Sequence, residues 1–203
     1  MSFITQNLDE FSAVLASKAA TPGGGGGSAM VGALGMALGT MVANLTTGKK
    51  KYVDVEEDIQ RIIKEGEEIR LELLHLIDRD EEVFLPVAEA YSLPKGPEKD
   101  AVMEPALRDA CSVPMDIMRQ VCRAIDLHEE LSQKSNQAIS DIGVGVIACK
   151  AALLGASLNV YINTKSMLDK EHAAALEKEA DDMVAKYSEL SEKIFWEIEA
   201  RLR

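Results

Sequence analysis

The chain has 203 residues, which is long enough for one domain with a sizeable buried core. Its net charge of −12 disfavours nucleic acid and anionic lipid membranes as partners, because both carry negative charge themselves. Only 4% of the residues are aromatic, whereas Ala, Leu, Gly and Met are plentiful. This mixture favours closely packed helices over sheets. We therefore predict an all-α multi-helix bundle that forms a single domain over residues 1–203.

The sequence offers few signs of metal or covalent chemistry. Cys111, Cys122 and Cys149 lie in apolar helical surroundings and are typical of free, buried thiols in a reducing compartment. No Cys/His spacing suits zinc, the three histidines lie far apart, and no nucleophile motif occurs. The N-terminus lacks the pattern of a signal peptide. We expect a cytoplasmic protein without a structural metal.

The first predicted helix covers residues 7–19 and ends before Thr21, Pro22 and the five glycines Gly23–Gly27. By composition alone, a flexible turn between helices is the favoured interpretation of the glycines. Consecutive glycines also let backbone N–H groups approach a ligand, and the start of a helix favours an anion. The entropic cost of five glycines is large for a plain turn, so the binding-site interpretation stays open.

The second predicted helix covers residues 28–48 and is almost entirely apolar or small. Its length allows a membrane span, but its Gly/Ala face is equally expected of a helix buried at the centre of a bundle. A polar stripe runs along one side at steps of four, three and four, formed by Thr40, Asn44, Thr47 and Lys51. These side chains either bind a ligand or hydrogen-bond to their own helix. The neighbouring lysines Lys49–Lys51 either complement the helix dipole or attract an anion.

The third predicted helix, residues 53–91, contains the most informative single residue. Apolar residues recur along it with a period of 3.6, and Asp80 falls on the apolar side, whereas Asp78 falls on the opposite, solvent-facing side. A carboxylate in an apolar stripe must be paired, hydrogen-bonded or partly protonated. Such carboxylates are common at functional sites, although structural ion pairs contain them too.

Three further helices are predicted at residues 98–131, 136–163 and 167–203. The first of them is expected to kink or break at Pro105 and Pro114, because proline lacks an N–H donor and clashes with the preceding turn.

The helix over residues 136–163 is again small and apolar. Asp141 lies near its start, where the helix dipole stabilises a carboxylate, and Asn159 and Asn163 continue its small-residue face. Both asparagines need hydrogen-bond partners if they are buried.

Several segments, taken together and in order, resemble the formimidoyltetrahydrofolate cyclodeaminase / methenyltetrahydrofolate cyclohydrolase family. Near the N-terminus they are Thr21–Gly25, Val31–Gly35, Met41–Thr46 and Gly48–Tyr52. Farther along they are Leu76–Asp80 with Phe84, then Leu93–Lys95, Ser140–Asp141, Gly155–Ala156, Asn159–Val160 and Asn163. The resemblance extends from about residue 5 to about residue 165.

The resemblance implies an all-α homodimer with a folate pocket between the glycine turn and the acidic helix. One departure concerns the glycines themselves: the family usually has a small polar residue after the third glycine, whereas this chain has Gly26 and Gly27 before Ser28. If a hydroxyl there contacts the substrate, Ser28 must supply it.

The implied chemistry adds water to the cationic C–N bond of 5,10-methenyltetrahydrofolate and opens the ring to 10-formyltetrahydrofolate. Asp80 and Asp141 are the expected acid/base carboxylates, and neither a cofactor nor a metal is required. Lys49, Lys50 and Lys51 are expected to hold the glutamate tail. The other expected substrate-binding residues are Gly23, Gly24, Gly25, Ser28, Thr40, Asn44, Thr47 and Asn159. Two alternatives remain open: the cyclodeaminase reaction, which releases ammonia, and a non-catalytic folate-binding or assembly protein.

Overall fold

The computed structural model describes residues 2–203, and within that range it contains helices but no strands. The α-helices are α1 Leu8–Leu15, α2 Gly24–Thr46, α3 Glu56–Ser92, α4 Pro97–Lys134, α5 Ile139–Thr164 and α6 Lys170–Leu202. Short 3-10 segments lie at Phe3–Thr5 and Lys50–Val55. The prediction of an all-α multi-helix bundle is therefore confirmed.

The antiparallel pair α2 and α5 forms the centre of the bundle. Near their midpoints the backbones almost touch, since a Cβ placed on Gly35 would lie 2.8 Å from Gly145 O. At one end Gly24 lies beside Asn159. α3 packs against α2, α6 packs against α5, and α4 packs against α3, α5 and α6. The small residues that made both central helices look unusual are thus the ones that allow this close approach.

The apolar stripe of α3 supplies a large part of the core. Ile59, Ile62, Ile69, Leu73 and Leu76 are fully buried. Burial of a side chain of this size contributes about 1.5–3 kcal/mol relative to exposure. Because the stripe fixes the rotation of α3, it also fixes which side of the helix Asp80 occupies.

Two predictions about helix boundaries were wrong. α2 begins at Gly24 rather than at Ser28, so most of the five glycines form the first turn of a helix and not a flexible turn. α4 continues without a break through Pro105 and Pro114. In both places tertiary packing outweighs local propensity: glycine lets α2 approach its neighbours, and the side chains between and after the prolines are buried in the core.

The prediction that Asp78 is merely solvated was also wrong. Its carboxylate accepts hydrogen bonds from the Ser2 hydroxyl and, at 2.6 Å, from the Phe3 N–H. Phe3 and Phe11 are buried and pack edge to face with ring centroids 6.2 Å apart. The N-terminal segment is thereby fastened to α3 two residues before Asp80.

Both central helices expose a row of large apolar side chains, which we call the apolar face. It comprises Val31, Leu34, Met41 and Leu45 of α2 with Val144, Ile147, Leu154, Leu158 and Ile162 of α5. By length and composition α2 and α5 would each suffice to cross a membrane, but about half of each lies buried inside the bundle, as in the core helices of soluble proteins. The three cysteines are buried and free, as predicted.

Candidate functional site

Asp80 belongs to α3, and its side chain packs against the first turn of α2. One carboxylate oxygen accepts a hydrogen bond of 2.9 Å from the backbone N–H of Gly26. A Cβ placed on Gly25 would lie only 2.6 Å from Asp80 Cγ, so glycine is needed there for the carboxylate to fit. Burial raises the pKa of the Asp80 carboxyl above its usual range, and the bond from Gly26 opposes that rise only in part. A carboxyl group whose pKa is raised accepts a proton more readily, which suits it to general acid–base catalysis.

Asp80 opens onto a cavity of about 240 Å³ between α2, α3, α4 and α5. The cavity is lined by Ala20, Thr21, Gly23, Gly24, Gly25, Asp80, Val83, Phe84, Ala110, Asn159, Ile162 and Asn163. Asp80 is the one charged side chain among these lining residues. A cavity of this charge and composition suits a flat, cationic ligand.

The walls of the cavity combine apolar surface with oriented amides. Val83, Phe84 and Ile162 provide the apolar surface. The amide nitrogen of Asn159 donates to Gly155 O at 2.9 Å, and that of Asn163 donates to Ala110 O at 3.2 Å. Each amide keeps its oxygen as an acceptor, and one further N–H as a donor, for a ligand.

The loop before α2 is held in place by α3 as well. The Thr21 hydroxyl donates to Glu81 at 2.8 Å, next to Asp80 in the sequence. Three acidic residues within one turn of α3 therefore accept hydrogen bonds from three parts of the N-terminal region. Asp78 accepts from Phe3, Asp80 from Gly26, and Glu81 from Thr21. Among residues 2–203 no three His, Cys, Asp or Glu side chains are grouped so that they could bind a metal ion.

Comparison with known proteins identifies the protein family of the chain. Residues 7–182 match the formiminotransferase-cyclodeaminase family. The chain belongs to this family. A methenyltetrahydrofolate cyclohydrolase from Methylorubrum extorquens is 41% identical over 97% of this chain and 98% of its own length.

Other relatives combine the same region with further sequence. The formimidoyltransferase-cyclodeaminase of Rattus norvegicus is 32% identical over 83% of this chain, which spans only 32% of the length of that relative. A crystal structure of formiminotetrahydrofolate cyclodeaminase from Thermotoga maritima has a TM-score of 0.85 and 32% identity, and it covers 96% of this chain and 98% of the Thermotoga chain.

In this family member, most of the expected site residues fall into two groups at opposite ends of α2 and α5. Asp80, Gly23, Gly24, Gly25 and Asn159 come together around the cavity. Ser28 lies next to it but does not line it, because its hydroxyl is buried and donates to Gly24 O at 2.7 Å. The family's small polar residue is therefore not replaced by Ser28 in the cavity wall.

The second group lies at the far end of the central helices. Asp141 is 18 residues from Asn159 along α5, or about 27 Å, so the structure does not bring it together with Asp80. Lys49 donates to Gln137 at 2.5 Å, and Lys50 and Lys51 follow it in the sequence.

Thr47, also at this end, donates its hydroxyl to Glu56. The second group gathers here because α2 and α5 are antiparallel, so the last turn of α2 meets the first turn of α5. The first group lies where α2 begins and α5 ends.

Thr40 and Asn44 lie between the two ends and make no cavity wall. Thr40 is buried against α3, where a Cβ on Gly66 would lie 2.6 Å from its hydroxyl oxygen. The amide of Asn44 donates to Thr40 O at 2.9 Å. Asn44, in the polar stripe of α2, thus hydrogen-bonds to its own helix, which was one of the two interpretations that the sequence left open.

Sequence reasoning missed several lining residues, chiefly Thr21, Phe84, Ile162 and Asn163. Asn163 follows Asn159 by one helical turn, so the same face of α5 already pointed to it. Phe84 follows Asp80 by one turn on α3 for the same reason. Ile162 carried no such signal, because an exposed apolar residue on a core helix looks the same whether it borders a cavity or a partner surface.

Proposed function

We propose that the chain is an enzyme that hydrolyses 5,10-methenyltetrahydrofolate to 10-formyltetrahydrofolate, with Asp80 as the catalytic acid/base. The observation that carries the proposal is the partly desolvated Asp80 carboxylate, the single charge in a cavity whose floor is the glycine turn of α2. The relative of 41% identity, matched over nearly its whole length, bears the name of this activity.

The substrate is a cation whose charge is spread over two nitrogens and the methenyl carbon between them. The Asp80 carboxylate stabilises this cation by simple Coulomb attraction, which is strong in a cavity with little water. Val83, Phe84 and Ile162 supply apolar surface for the flat rings. The free amide oxygens of Asn159 and Asn163 accept hydrogen bonds from the pterin N–H groups.

The reaction needs two proton transfers at nearly the same place. Asp80 accepts a proton from water as the water oxygen adds to the methenyl carbon, which gives a tetrahedral intermediate. Asp80 then returns this proton to N5 as the bond from carbon to N5 breaks. Loss of the hydroxyl proton leaves the formyl group on N10, so that one water is consumed and one proton is released overall. General acid–base catalysis of this kind contributes roughly 10²–10⁴-fold.

The first turn of α2 assists at the oxygen that is added. The N–H groups of Gly24 and Gly25 have no acceptor within the helix, because the first intrahelical bond runs from Gly27 N to Gly23 O. They border the same cavity as Asp80 and stabilise the developing negative charge on that oxygen.

The second candidate activity is cyclodeamination of formiminotetrahydrofolate. It is favoured by the likeness to the Thermotoga maritima chain, whose name is that activity. In this reaction N10 attacks the carbon of the protonated formimino group and Asp80 takes the N10 proton. Asp80 then returns this proton to the amino nitrogen, which leaves as ammonia as the methenyl cation forms. The same carboxylate and the same cation stabilisation serve both reactions, so substrate choice must be tested directly.

The test gives the purified protein each substrate in turn and follows the absorbance of the methenyl group. Cyclohydrolase activity predicts loss of absorbance from methenyltetrahydrofolate, faster than the uncatalysed rate. Cyclodeaminase activity predicts gain of absorbance from formiminotetrahydrofolate. If neither signal changes while a folate still binds, the protein is a non-catalytic folate-binding protein and the proposal is wrong.

The apolar face supports a homodimer in which a second copy of the chain covers α2 and α5. Its nine large side chains form one surface on two adjacent helices, and Leu158 and Ile162 are each more than 60% exposed. A second copy fits better than lipid, because the face presents no free cation and the net charge of −12 repels anionic headgroups. Ile162 also lines the cavity, so a copy bound there would border the site.

The remaining parts of the proposal concern the cellular setting. Free, buried cysteines suit a reducing compartment, which supports a cytoplasmic location. The strong negative charge supports the absence of nucleic acid and membrane partners. Since the proton transfers need only Asp80 and water, the proposed reaction requires no cofactor. We further propose that residues 1–203 act as a single domain.

A further inference from the structure

The cavity is too small for a whole folate. Its volume of about 240 Å³ lies below the roughly 300–1,000 Å³ typical of pockets that enclose drug-sized ligands. If the pterin and the one-carbon unit occupy it beside Asp80, the benzoyl-glutamate part must leave through the mouth. The exposed lining residues Ala20, Gly24 and Ile162 mark that mouth.

Two lysines lie close in the sequence to residues that mark this mouth, one before α2 and one at the end of α5. Lys18 lies two residues before Ala20 in the loop between α1 and α2, and Lys165 follows Ile162 by one helical turn at the end of α5. Both are exposed, and neither forms a salt bridge within residues 2–203. The chain as a whole has 34 acidic and 22 basic residues. Two unpaired lysines near the mouth of the cavity beside Asp80 therefore attract anions locally.

The surroundings of the mouth leave these charges available. Glu81 accepts the Thr21 hydroxyl, and Glu177 accepts the hydroxyl of buried Thr164 on the side of α5 that faces α6. Lys170 donates to Lys165 O at 3.3 Å, so a third cation lies behind Lys165. The cluster Lys49–Lys51, by contrast, lies about 34 Å away along α2.

We propose that Lys18 and Lys165 bind the α- and γ-carboxylates of the glutamate tail and so set the preference for folates over tail-less pterins. This inference rests on the proposed function, because it takes the pterin to lie beside Asp80. It assigns the tail to the mouth of the same protomer and replaces the cluster Lys49–Lys51 that the sequence suggested. Because the lysines act on a part of the substrate remote from the reacting carbon, they lower KM and leave kcat unchanged.

The test compares wild type with Lys18→Gln, Lys165→Gln and the double variant. Two substrates are used, methenyltetrahydrofolate and methenyltetrahydropteroate, which lacks the glutamate, and equilibrium binding of tetrahydrofolate and tetrahydropteroate is measured alongside. We expect each substitution to raise KM for the folate about 3–5-fold and the double variant about tenfold, as exposed charge pairs of this kind contribute. KM for the pteroate and kcat for both substrates should stay unchanged.

A matched control removes two exposed lysines elsewhere, with Lys64→Gln on α3 and Lys186→Gln on α6. This control changes the net charge equally and should leave KM unchanged. Equal effects on folate and pteroate, or an effect of neutralising Lys49–Lys51 in place of Lys18 and Lys165, would overturn the tail assignment. A wild-type protein that neither binds nor converts either compound would instead overturn the proposed function itself.

Discussion

The carboxyl carbon of Asp80 occupies the space in which any residue other than glycine at position 25 would place its Cβ, 2.6 Å away. This contact explains why a glycine run that disfavours helix formation nevertheless begins a helix. Without side chains, the first turn of α2 can lie directly on α3 and donate from Gly26 N to Asp80. The N–H groups of Gly24 and Gly25, two of the residues that line the cavity, have no acceptor within the helix.

Gly25→Ala should therefore disable the site without unfolding the protein. The new Cβ displaces the Asp80 carboxylate, and a displacement of about 1 Å at a catalytic group can cost about 10²-fold in kcat/KM. Gly27→Ala is the matched control, because no atom lies within 4 Å of a Cβ there. It should keep full activity and raise the free energy of unfolding by about 0.5–1 kcal/mol. Equal activity of the two variants would contradict this account of the glycine turn.

Burial of Asp80 should cost stability at neutral pH. Its folded-state pKa is raised, so the folded state binds a proton more tightly than the unfolded state does. Stability from this group is present below the unfolded pKa of about 3.9 and is lost as pH rises through the raised pKa. Asp80→Asn should thus gain stability over wild type as pH rises from 4 to 8, measured by urea unfolding. A stability difference that is constant with pH would argue against the desolvation of Asp80.

His128 should give the opposite dependence on pH. It is fully buried between the glycines of α2 and α5, with Nε2 2.9 Å from a Cβ placed on Gly39, and burial lowers its pKa. Its contribution to stability is present above about pH 6.5 and is lost as pH falls towards the lowered pKa, at up to about 1.4 kcal/mol per pH unit. In urea unfolding between pH 7 and 5, His128→Gln should lose less stability than wild type. Parallel curves for the two proteins would show that folding does not lower the pKa of His128.

The proposed dimer should depend on the apolar face. Leu158→Asp places a charge at its most exposed position and should weaken self-association at least tenfold, or about 1.4 kcal/mol, in sedimentation velocity. Trp196→Asp on α6 is the control, since Trp196 is also about 60% exposed but lies outside the face. A wild-type chain that stays monomeric at high concentration would remove the basis of the dimer proposal.

Periodicity predicted the parts of the site that depend on one helix alone. The stripe of α3 set Asp80 apart from the solvent-facing acids, because a period of 3.6 fixes the side of the helix on which each residue lies. The same reasoning failed for Asp78, whose partner Phe3 is 75 residues away. A contact over that distance in the sequence depends on how the N-terminal segment folds back, which local patterns do not contain.

Which residues meet from different helices could not be read from either helix alone. Thr47 directly follows the helix that begins at Gly24, and Asp141 lies at the other end of the helix that contains Asn159. Their placement depends on the antiparallel packing of α2 and α5, which brings Gly24 to Asn159 and leaves Lys49 beside Gln137. The helical state of the glycines was hidden for a related reason, since only the packing against Asp80 compensates for their low helix propensity.

The most direct measurement of the central claim is the turnover of methenyltetrahydrofolate by Asp80→Asn beside wild type and Asp141→Asn. Asparagine at position 80 keeps the shape and can still accept from Gly26 N, but it cannot carry a proton between water and N5. We predict that kcat falls by 10²–10⁴-fold, roughly, for Asp80→Asn, and stays unchanged for Asp141→Asn. An Asp80→Asn enzyme with wild-type kcat would contradict the account.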